Sequence, residues 1–277
     1  MSVTAVTASD VTLAYGNHVA IDRSTFDVPA GCVTTVIGPN AAGKSTILNA
    51  IAGLMTPTHG TLEVPAIGGD HKRIAYVLQT TKVNYALPIS VSEVVTMGRY
   101  STTGLYRWLS ATDRDAVNSA MTRMGIAHVS TSRLQDLSGG QRQRVFVAQG
   151  LAQEHDILLL DEPLTGIDLP TAQAIDDVIH NETDRGCTVI MTTHDLSEAQ
   201  FSDHVLLVSG RVVASGPPDD VLTAENLVEA YGPSLLHLDE DDRLFLDDPA
   251  HPHLPGRHAH RERTSHTESS PSDVHRE

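Results

Sequence analysis

The sequence is poor in basic residues and in cysteine. It has 19 lysines and arginines against 35 acidic residues, and its net charge is −16. Because proteins bind nucleic-acid phosphates through basic surfaces, this balance predicts that the chain does not bind nucleic acid. The only two cysteines, Cys32 and Cys187, lie in apolar runs. We therefore expect buried free thiols in a reducing cytosol rather than a disulfide.

Long apolar runs are also absent. No stretch approaches the roughly 18–20 apolar residues that a membrane helix needs, and the N-terminus lacks the charged start and apolar core of a signal peptide. Any membrane role is therefore expected to come through a partner protein. The 277 residues, 40% of them hydrophobic, suffice for one large domain or for a domain with a subdomain and a tail.

A glycine-rich motif is the most informative feature that is present. Residues 38–46 fit the phosphate-binding pattern G-x-x-x-x-G-K-[S/T], with a strand-like run before them and a helical run after them. Both flanks disfavour a simple glycine turn with a chance lysine. Backbone N–H groups would hold the phosphates, Lys44 would reach the β- and γ-phosphates, and Ser45 would ligate Mg²⁺. The predicted ATP-contacting residues are Gly38, Pro39, Asn40, Ala41, Ala42, Gly43, Lys44, Ser45 and Thr46.

The hydrophobic pattern predicts an α/β fold. From Ile157 onward, strand-like runs alternate with helical ones, which indicates a parallel sheet, and a hairpin follows around Gly210. Residues 1–36 alternate short strand-like runs with turns, and residues 89–135 have helical spacing. We predict a domain over residues 1–237 with a helical subdomain inserted at about 86–150. Residues 238–277, acidic and then rich in histidine, are predicted to be a disordered tail.

A strand ending in two carboxylates is the second motif. Ile157-Leu158-Leu159-Leu160 runs into Asp161 and Glu162. Asp161 at the strand's tip can hold Mg²⁺, usually through water, and Glu162 can act as general base on the attacking water. A solvated acidic turn at an edge strand is the alternative, which the phosphate loop upstream disfavours.

The third motif, Leu137-Ser138-Gly139-Gly140-Gln141, begins a helix. Together, and in this order, the three motifs resemble those of the ATP-binding cassette (ABC) ATPases, over residues 1 to about 225. The resemblance implies a P-loop NTPase (RecA-like) core, an N-terminal antiparallel β subdomain and an inserted α-helical subdomain. Two departures stand out: Ala41 where many relatives have glycine, and Gln149-Gly150 where the family commonly has Arg-Ala.

The resemblance also assigns roles to single residues. It implies that Tyr15 stacks on adenine, although an ordinary strand tyrosine is the alternative. The implied catalytic residues are Lys44, Gln79, Glu162 and His194, and the implied Mg²⁺ ligands are Ser45, Gln79 and Asp161. Two chains of such a homodimer share each ATP, and the residues implied to act on the partner's nucleotide are Ser138, Gly139, Gly140, Gln141 and Asp168.

The sequence gives weaker evidence about the transported cargo than about ATP binding. Residues 84–100 and Thr112-Asp113-Arg114 resemble the manganese/zinc-type importer ATPases, while ferric-siderophore and haem importers share the Met-Gly-Arg stretch. This implies an ATPase subunit on the cytoplasmic face of the membrane, bound to a polytopic permease that works with an extracytoplasmic metal-binding protein. A soluble ABC ATPase of DNA repair or translation is the other class considered. The single cassette, the 90 residues between the first and third motifs and the negative charge disfavour it.

The C-terminal segment is rich in histidine. Six histidines lie within residues 251–277, and paired His-x-His spacing can gather imidazoles around Zn²⁺ or, more weakly, Mn²⁺. A flexible polar tail that binds nothing is an equal alternative. The candidate ligands in this tail are His251, His253, His258 and His260.

Overall fold

The structure, a computed structural model, describes residues 3–68, 70–79, 88–103, 108–232, 236–238 and 244–246. Its strands are β1 (Thr4–Tyr15), β2 (His18–Pro29), β3 (Val33–Ile37), β4 (His59–Glu63), β5 (Ile74–Val77), β6 (Ile157–Asp161), β7 (Thr188–Thr193), β8 (His204–Val208), β9 (Val212–Gly216), β10 (Leu236–Leu238) and β11 (Leu244–Leu246). Its helices are α1 (Lys44–Ile51), α2 (Val91–Met97), α3 (Tyr100–Thr103), α4 (Ala111–Arg123), α5 (Gly139–Ala152), α6 (Leu169–Asp184), α7 (Leu196–Gln200), α8 (Pro218–Val221) and α9 (Ala224–Tyr231).

A six-stranded sheet forms the core, in the order β5-β6-β7-β3-β8-β9. The first five strands are parallel and β9 is antiparallel to β8, which confirms the predicted parallel sheet and terminal hairpin. Every residue of β3, β6 and β7 is buried, as expected for parallel strands covered on both faces. The carboxyl ends of these strands bring the phosphate loop, Asp161 and Thr192 to one edge.

A second sheet, β2-β1-β4, is antiparallel. The short runs predicted for residues 1–36 merge here into two strands of twelve residues each. Register shifts interrupt their pairing, and Asp10 and Arg23 have positive φ at these irregularities. The Arg23 guanidinium also donates to Asp10 Oδ1 at 2.9 Å. Bulges therefore keep long, bent strands continuous where the sequence suggested turns.

Helices α2–α5 lie between β5 and β6 in the chain, where the sequence predicted a helical insertion. In this region Arg99 is buried; its Nε donates to Asp113 Oδ1 at 2.9 Å and its Nη1 to the carbonyl of Ala152 at 3.0 Å. Hydrogen bonds from Ser110, together with Arg99, lower the pKa of Asp113 to about 2. Within the two segments that resemble the importer ATPases, Arg99 and Asp113 are thus buried packing residues, whereas Met97, Thr112 and Arg114 are exposed.

Gly98 permits the contact between α2 and α5. A Cβ added at Gly98 would lie 2.2 Å from the carbonyl oxygen of Gln149. Gly150 has a similar role on the other side of α5, since a Cβ there would lie 2.8 Å from Val77 Cγ2 on β5. Gly150 lowers the helix propensity of α5 relative to alanine, but its lack of a side chain lets α5 approach the sheet.

We predict that Gly98→Ala lowers the free energy of unfolding by about 1–3 kcal/mol, because the added methyl group forces α2 away from α5. Denaturant unfolding measures the change. Gly139→Ala is the matched control, because a Cβ at Gly139 meets no atom of the described residues within 4 Å outside its chain neighbours and its own helix backbone. We expect the control to lie within about 0.5 kcal/mol of the wild type. Equal stability of the two variants would contradict the proposed packing role of Gly98.

The structure can be compared with some of the remaining sequence predictions, and others concern residues that it does not describe. Cys187 is buried and free, as expected, whereas Cys32 is free but only partly buried. Within the described residues no helix is both long and apolar enough to cross a membrane. Residues 84–87 of the importer-like stretch and the tail histidines His251, His253, His258 and His260 lie outside the described residues. The domain boundary at 237–238 stays a prediction.

Candidate nucleotide site

The loop between β3 and α1 closes around the side chain of Lys44. Lys44 Nζ donates to the carbonyl of Gly38 at 2.8 Å and to that of Pro39 at 3.1 Å, and the side chain is buried. This burial lowers the pKa of Lys44, while Glu162 and Asp161 act in the opposite direction. The ammonium therefore sits inside the loop, where phosphate oxygens could accept its donors.

The loop's backbone explains its glycines. Gly43 has φ +101°, and a Cβ there would lie 2.5 Å from Ile21 Cδ1. A Cβ at Gly38 would lie 1.9 Å from the carbonyl oxygen of Val208. Ala41, the departure noted in the sequence, has φ +63°, a conformation that costs a residue with a Cβ about 1–2 kcal/mol. The next residue is fixed by two hydrogen bonds: Ala42 N–H donates to the carbonyl of Pro39 at 3.2 Å, and its carbonyl accepts from Gly210 N at 3.0 Å.

The loop opens into a surface depression that brings many of the predicted residues together. Tyr15 lies at its rim, half exposed, with its hydroxyl accepting from Asn49 Nδ2 at 3.2 Å. A half-exposed ring can stack on a base. His18 and Ala20, which the sequence did not single out, enter the lining because β2 starts directly opposite Tyr15. The lining residues are Tyr15, His18, Ala20, Asn40, Ala41, Ala42, Gly43, Lys44, Ser45, Thr46 and Glu162.

Asp161 lies beside Ser45 at the carboxyl end of β6. Ser45 Oγ donates to Asp161 Oδ1 at 3.0 Å, and Thr192 Oγ1 donates to the same oxygen at 2.7 Å. The Asp161 side chain is buried. A hydroxyl and a carboxylate this close, next to a phosphate loop, are the oxygen ligands that Mg²⁺ takes in such sites. The donor set therefore fits Mg²⁺.

Glu162 is oriented by two neighbouring residues. Its backbone N–H donates to Thr192 Oγ1 at 2.8 Å, and its carboxylate accepts from Gln79 Nε2 at 2.7 Å. Glu162 also has φ +50°, which is a strained conformation for a residue with a side chain. In this conformation Glu162 lines the same depression as Lys44. Gln79 and Glu162, 83 positions apart, are thus in direct contact.

Thr192 is a residue that sequence reasoning missed. It reads as one more β-branched residue of a buried strand, and only the three-dimensional pairing of β6 with β7 places it beside Asp161. Its hydroxyl donates to Asp161 and accepts from the backbone of Glu162. Thr192 is therefore a positioning residue for the Asp161 carboxylate and for the backbone of Glu162.

We predict that Thr192→Val lowers kcat for ATP hydrolysis by about tenfold to a hundredfold, because the Glu162 backbone loses its hydrogen-bond acceptor and the carboxylate is no longer held in its reactive position. KM for ATP should stay unchanged, since Thr192 is absent from the lining of the depression. Thr192→Ser should restore kcat. Steady-state kinetics of both variants measures this, and a valine variant with normal kcat would contradict the positioning role.

The sequence profile of the ABC transporter family matches residues 21–165, which is more than half of the chain. This chain belongs to the ABC transporter family. Two ABC relatives are each 37% identical to it. The chelated iron transport system membrane protein YfeB of Yersinia pestis aligns over 86% of this chain and 83% of its own. The manganese transport system ATP-binding protein MntB of Bacillus subtilis aligns over 84% of this chain and 94% of its own.

A third ABC relative, the zinc transport system ATP-binding protein TroB of Treponema pallidum, is 36% identical over 82% of this chain and 87% of its own. Among solved structures, an ABC transporter in an inward-facing conformation matches with a TM-score of 0.73, at 25% identity, over 88% of this chain and 96% of that one. The predicted P-loop NTPase fold is confirmed, and the chain is an ATP-binding ATPase of the ABC type.

The ABC signature residues lie outside the depression that holds Lys44. Ser138 caps α5, accepting from Gln141 N at 3.2 Å, while the Gln141 side chain accepts from Ser138 N. A Cβ at Gly140 would lie 2.9 Å from Asp168 Oδ1, so Asp168 and the signature share one patch. Their predicted action on a partner's nucleotide stays a prediction. His194 directly follows β7, at the sheet edge where Asp161 lies.

Proposed function

We propose that this chain is the ATP-hydrolysing subunit of a transporter that imports manganese or zinc, acting as a homodimer. The contact between Gln79 and Glu162 beside Lys44 carries the catalytic part of the proposal, because it places a hydrogen-bonded carboxylate in the depression of the phosphate loop. The relatives carry the cargo part, since two of them are manganese and zinc transport ATP-binding proteins.

The proposed catalytic roles rest on this geometry together with the family resemblance. Glu162 would accept a proton from the attacking water, and Gln79 holds its carboxylate in place. Lys44 would bind phosphate oxygens, and Tyr15 would stack on adenine. Ser45 and Asp161, with Gln79, would hold Mg²⁺, which neutralises developing phosphate charge when bound. His194 would contact the γ-phosphate from the end of β7.

The partner chain would complete each site. The patch formed by Ser138, Gly139, Gly140, Gln141 and Asp168 does not line its own chain's depression, so we propose that it contacts the nucleotide of the second copy. The N–H groups that begin α5 would then stabilise the charge that develops on the transferred phosphoryl group. ATP binding would close the dimer and hydrolysis would release it.

The proposed assembly contains a polytopic permease and an extracytoplasmic metal-binding protein, with the ATPase dimer on the cytoplasmic face of the membrane. Nucleic acid is not among the proposed partners. Chelated iron is the second candidate cargo, because the relative YfeB belongs to a chelated iron transport system and is as similar as MntB. The histidines of the tail are proposed as a weaker site for transition metal.

Reconstitution of the membrane complex tests the proposal. The tagged chain is purified from membranes with its permease, placed in liposomes, and supplied with manganese, zinc or a ferric chelate together with the binding protein. We expect ATP-dependent uptake of manganese or zinc, and uptake should be absent from liposomes that carry the Glu162→Gln variant. Uptake of the ferric chelate alone would replace the manganese and zinc assignment, and recovery of ribosomes or DNA instead of a permease would refute transport.

A further inference from the structure

A second cluster of chemically reactive side chains lies where strands β6 and β7 begin, at the end of the central sheet opposite the nucleotide site. His155 precedes β6, Cys187 precedes β7, and Ile157 of β6 pairs with Thr188 of β7. The ends of these strands thus lie side by side. Asp161 is at the other end of β6, about 13 Å along a five-residue strand. The cluster is therefore separate from the nucleotide site.

Glu182, in the last turn of α6, joins His155 and Cys187. One ligand atom from each of the three side chains lies within 4.8 Å of the others, and His155 Nε2 is 3.1 Å from Glu182 Oε2. The side chains of His155 and Glu182 are each 5% exposed and Cys187 is 6% exposed. An imidazole, a carboxylate and a thiol therefore converge with little exposure to bulk water.

The surroundings orient these groups toward one another. His155 Nδ1 is 2.7 Å from the carbonyl oxygen of Gln153, so the Nδ1 hydrogen is donated to the backbone and Nε2 faces Glu182. A backbone acceptor on the second ring nitrogen is the usual support of a metal-bound histidine. Arg123 and Arg185 both pair with Glu182 Oε1, at 2.5 and 3.1 Å, which leaves Oε2 to face the imidazole.

We propose that His155, Glu182 and Cys187 form a binding site for one Zn²⁺-type ion. A thiolate with an imidazole and a carboxylate is a donor set that suits Zn²⁺ or Co²⁺ and not Mg²⁺ or Ca²⁺. Donor atoms of a formed tetrahedral site are about 3.5 Å apart, so the sulfur needs to move by only about 1 Å. Bound metal would tie the end of α6 to β6 and β7, while Asp168 of the signature patch directly precedes the other end of α6.

The competing structure is an ion pair without metal. In it, a protonated His155 donates from both ring nitrogens, to Gln153 and to Glu182, and Cys187 is a buried thiol with no part in the cluster. The two structures differ in what the sulfur does. A probe of the Cys187 sulfur therefore separates them.

Cobalt(II) provides this probe, because a cobalt-bound thiolate gives a charge-transfer band in the near ultraviolet. The full chain, purified metal-free and reduced, is titrated with Co²⁺. We expect the band in the wild type and in Cys32→Ser, saturating at one equivalent and removed by Zn²⁺, but not in Cys187→Ser. His155→Gln should weaken Co²⁺ binding by at least about tenfold. The histidine-rich tail cannot produce the band, since the chain's only cysteines are Cys32 and Cys187.

Three results would overturn the site: no band in the wild type, a band that persists in Cys187→Ser and disappears in Cys32→Ser, or equal affinity of the wild type and His155→Gln. Circular dichroism shows whether each variant is folded. If Cys187→Ser does not fold, the comparison of wild type, Cys32→Ser and His155→Gln still decides. None of these variants alters the residues proposed to bind ATP, so transport and ATP hydrolysis are tested separately.

Discussion

Replacing Glu162 by glutamine is expected to lower ATP turnover by about 10²- to 10⁴-fold while ATP binding is retained, because a positioned general base contributes rate enhancement of this size. Glutamine has the same shape, and its side-chain oxygen can still accept the hydrogen bond from Gln79 Nε2. The amide cannot, however, take a proton from water at neutral pH. Steady-state phosphate release measures turnover, and equilibrium binding of a fluorescent ATP analogue measures affinity.

The matched control is Glu225→Gln, which makes the same chemical change at an exposed position in the first turn of α9. We expect this variant to turn ATP over at the wild-type rate. Robust hydrolysis by Glu162→Gln would remove Glu162 as the base. Loss of ATP binding by that variant would instead show that its carboxylate supports the loop around Lys44 and is not specific to the chemical step.

The nucleotide site could be predicted from sequence because its main parts are local. A strand, a glycine loop and a helix are contiguous in residues 33–51, so the motif contains its own structural setting. The same holds for β6 and the two carboxylates that end it. The alternation of strands with helices also predicted the fold class. Strands β6 and β7 are buried along their whole length, so their sequences lack the polar/apolar alternation of a half-exposed strand.

The features that the sequence did not predict depend on contacts between residues that are far apart in the chain. Nothing near Thr192 in the sequence indicates that its hydroxyl meets a carboxylate 31 positions away. In the sequence, Gly98 belongs to the Met-Gly-Arg stretch that resembles the importer ATPases. Its packing role appears only in the structure, where α5 lies against it. The His155, Glu182 and Cys187 cluster combines three segments whose spacing fits no metal-binding motif. Strand order and helix packing determine such contacts, and neither can be inferred from the local pattern of a single sequence.

We expect a second large effect on ATP turnover from a substitution in the signature patch, which is the patch formed by Ser138, Gly139, Gly140, Gln141 and Asp168. Gly139→Ala should lower ATP turnover by at least about tenfold, since a positioned donor to the transferred group is worth about 10²- to 10³-fold. Among the described residues, the methyl group meets no atom within 4 Å beyond its chain neighbours and the backbone of its own helix, and Gly139 has no positive φ, so the variant should fold normally. The loss of activity would then report contact with a partner chain. Phosphate release by the purified complex measures it, and unchanged turnover would contradict this contact.

Mixed dimers decide whether the patch acts on its own or on the partner's nucleotide. One complex pairs a Glu162→Gln chain with a Gly139→Ala chain, each with its own tag so that only mixed dimers are purified. If sites are shared between chains, both lesions fall in one site and the other is intact, so turnover should reach up to about half of wild type. The second complex pairs a wild-type chain with a chain carrying both substitutions, which places one lesion in each shared site and should leave turnover near that of the single variants. The reverse order of activities would show that each chain completes its own site, because the wild-type chain of the second complex would then remain active by itself.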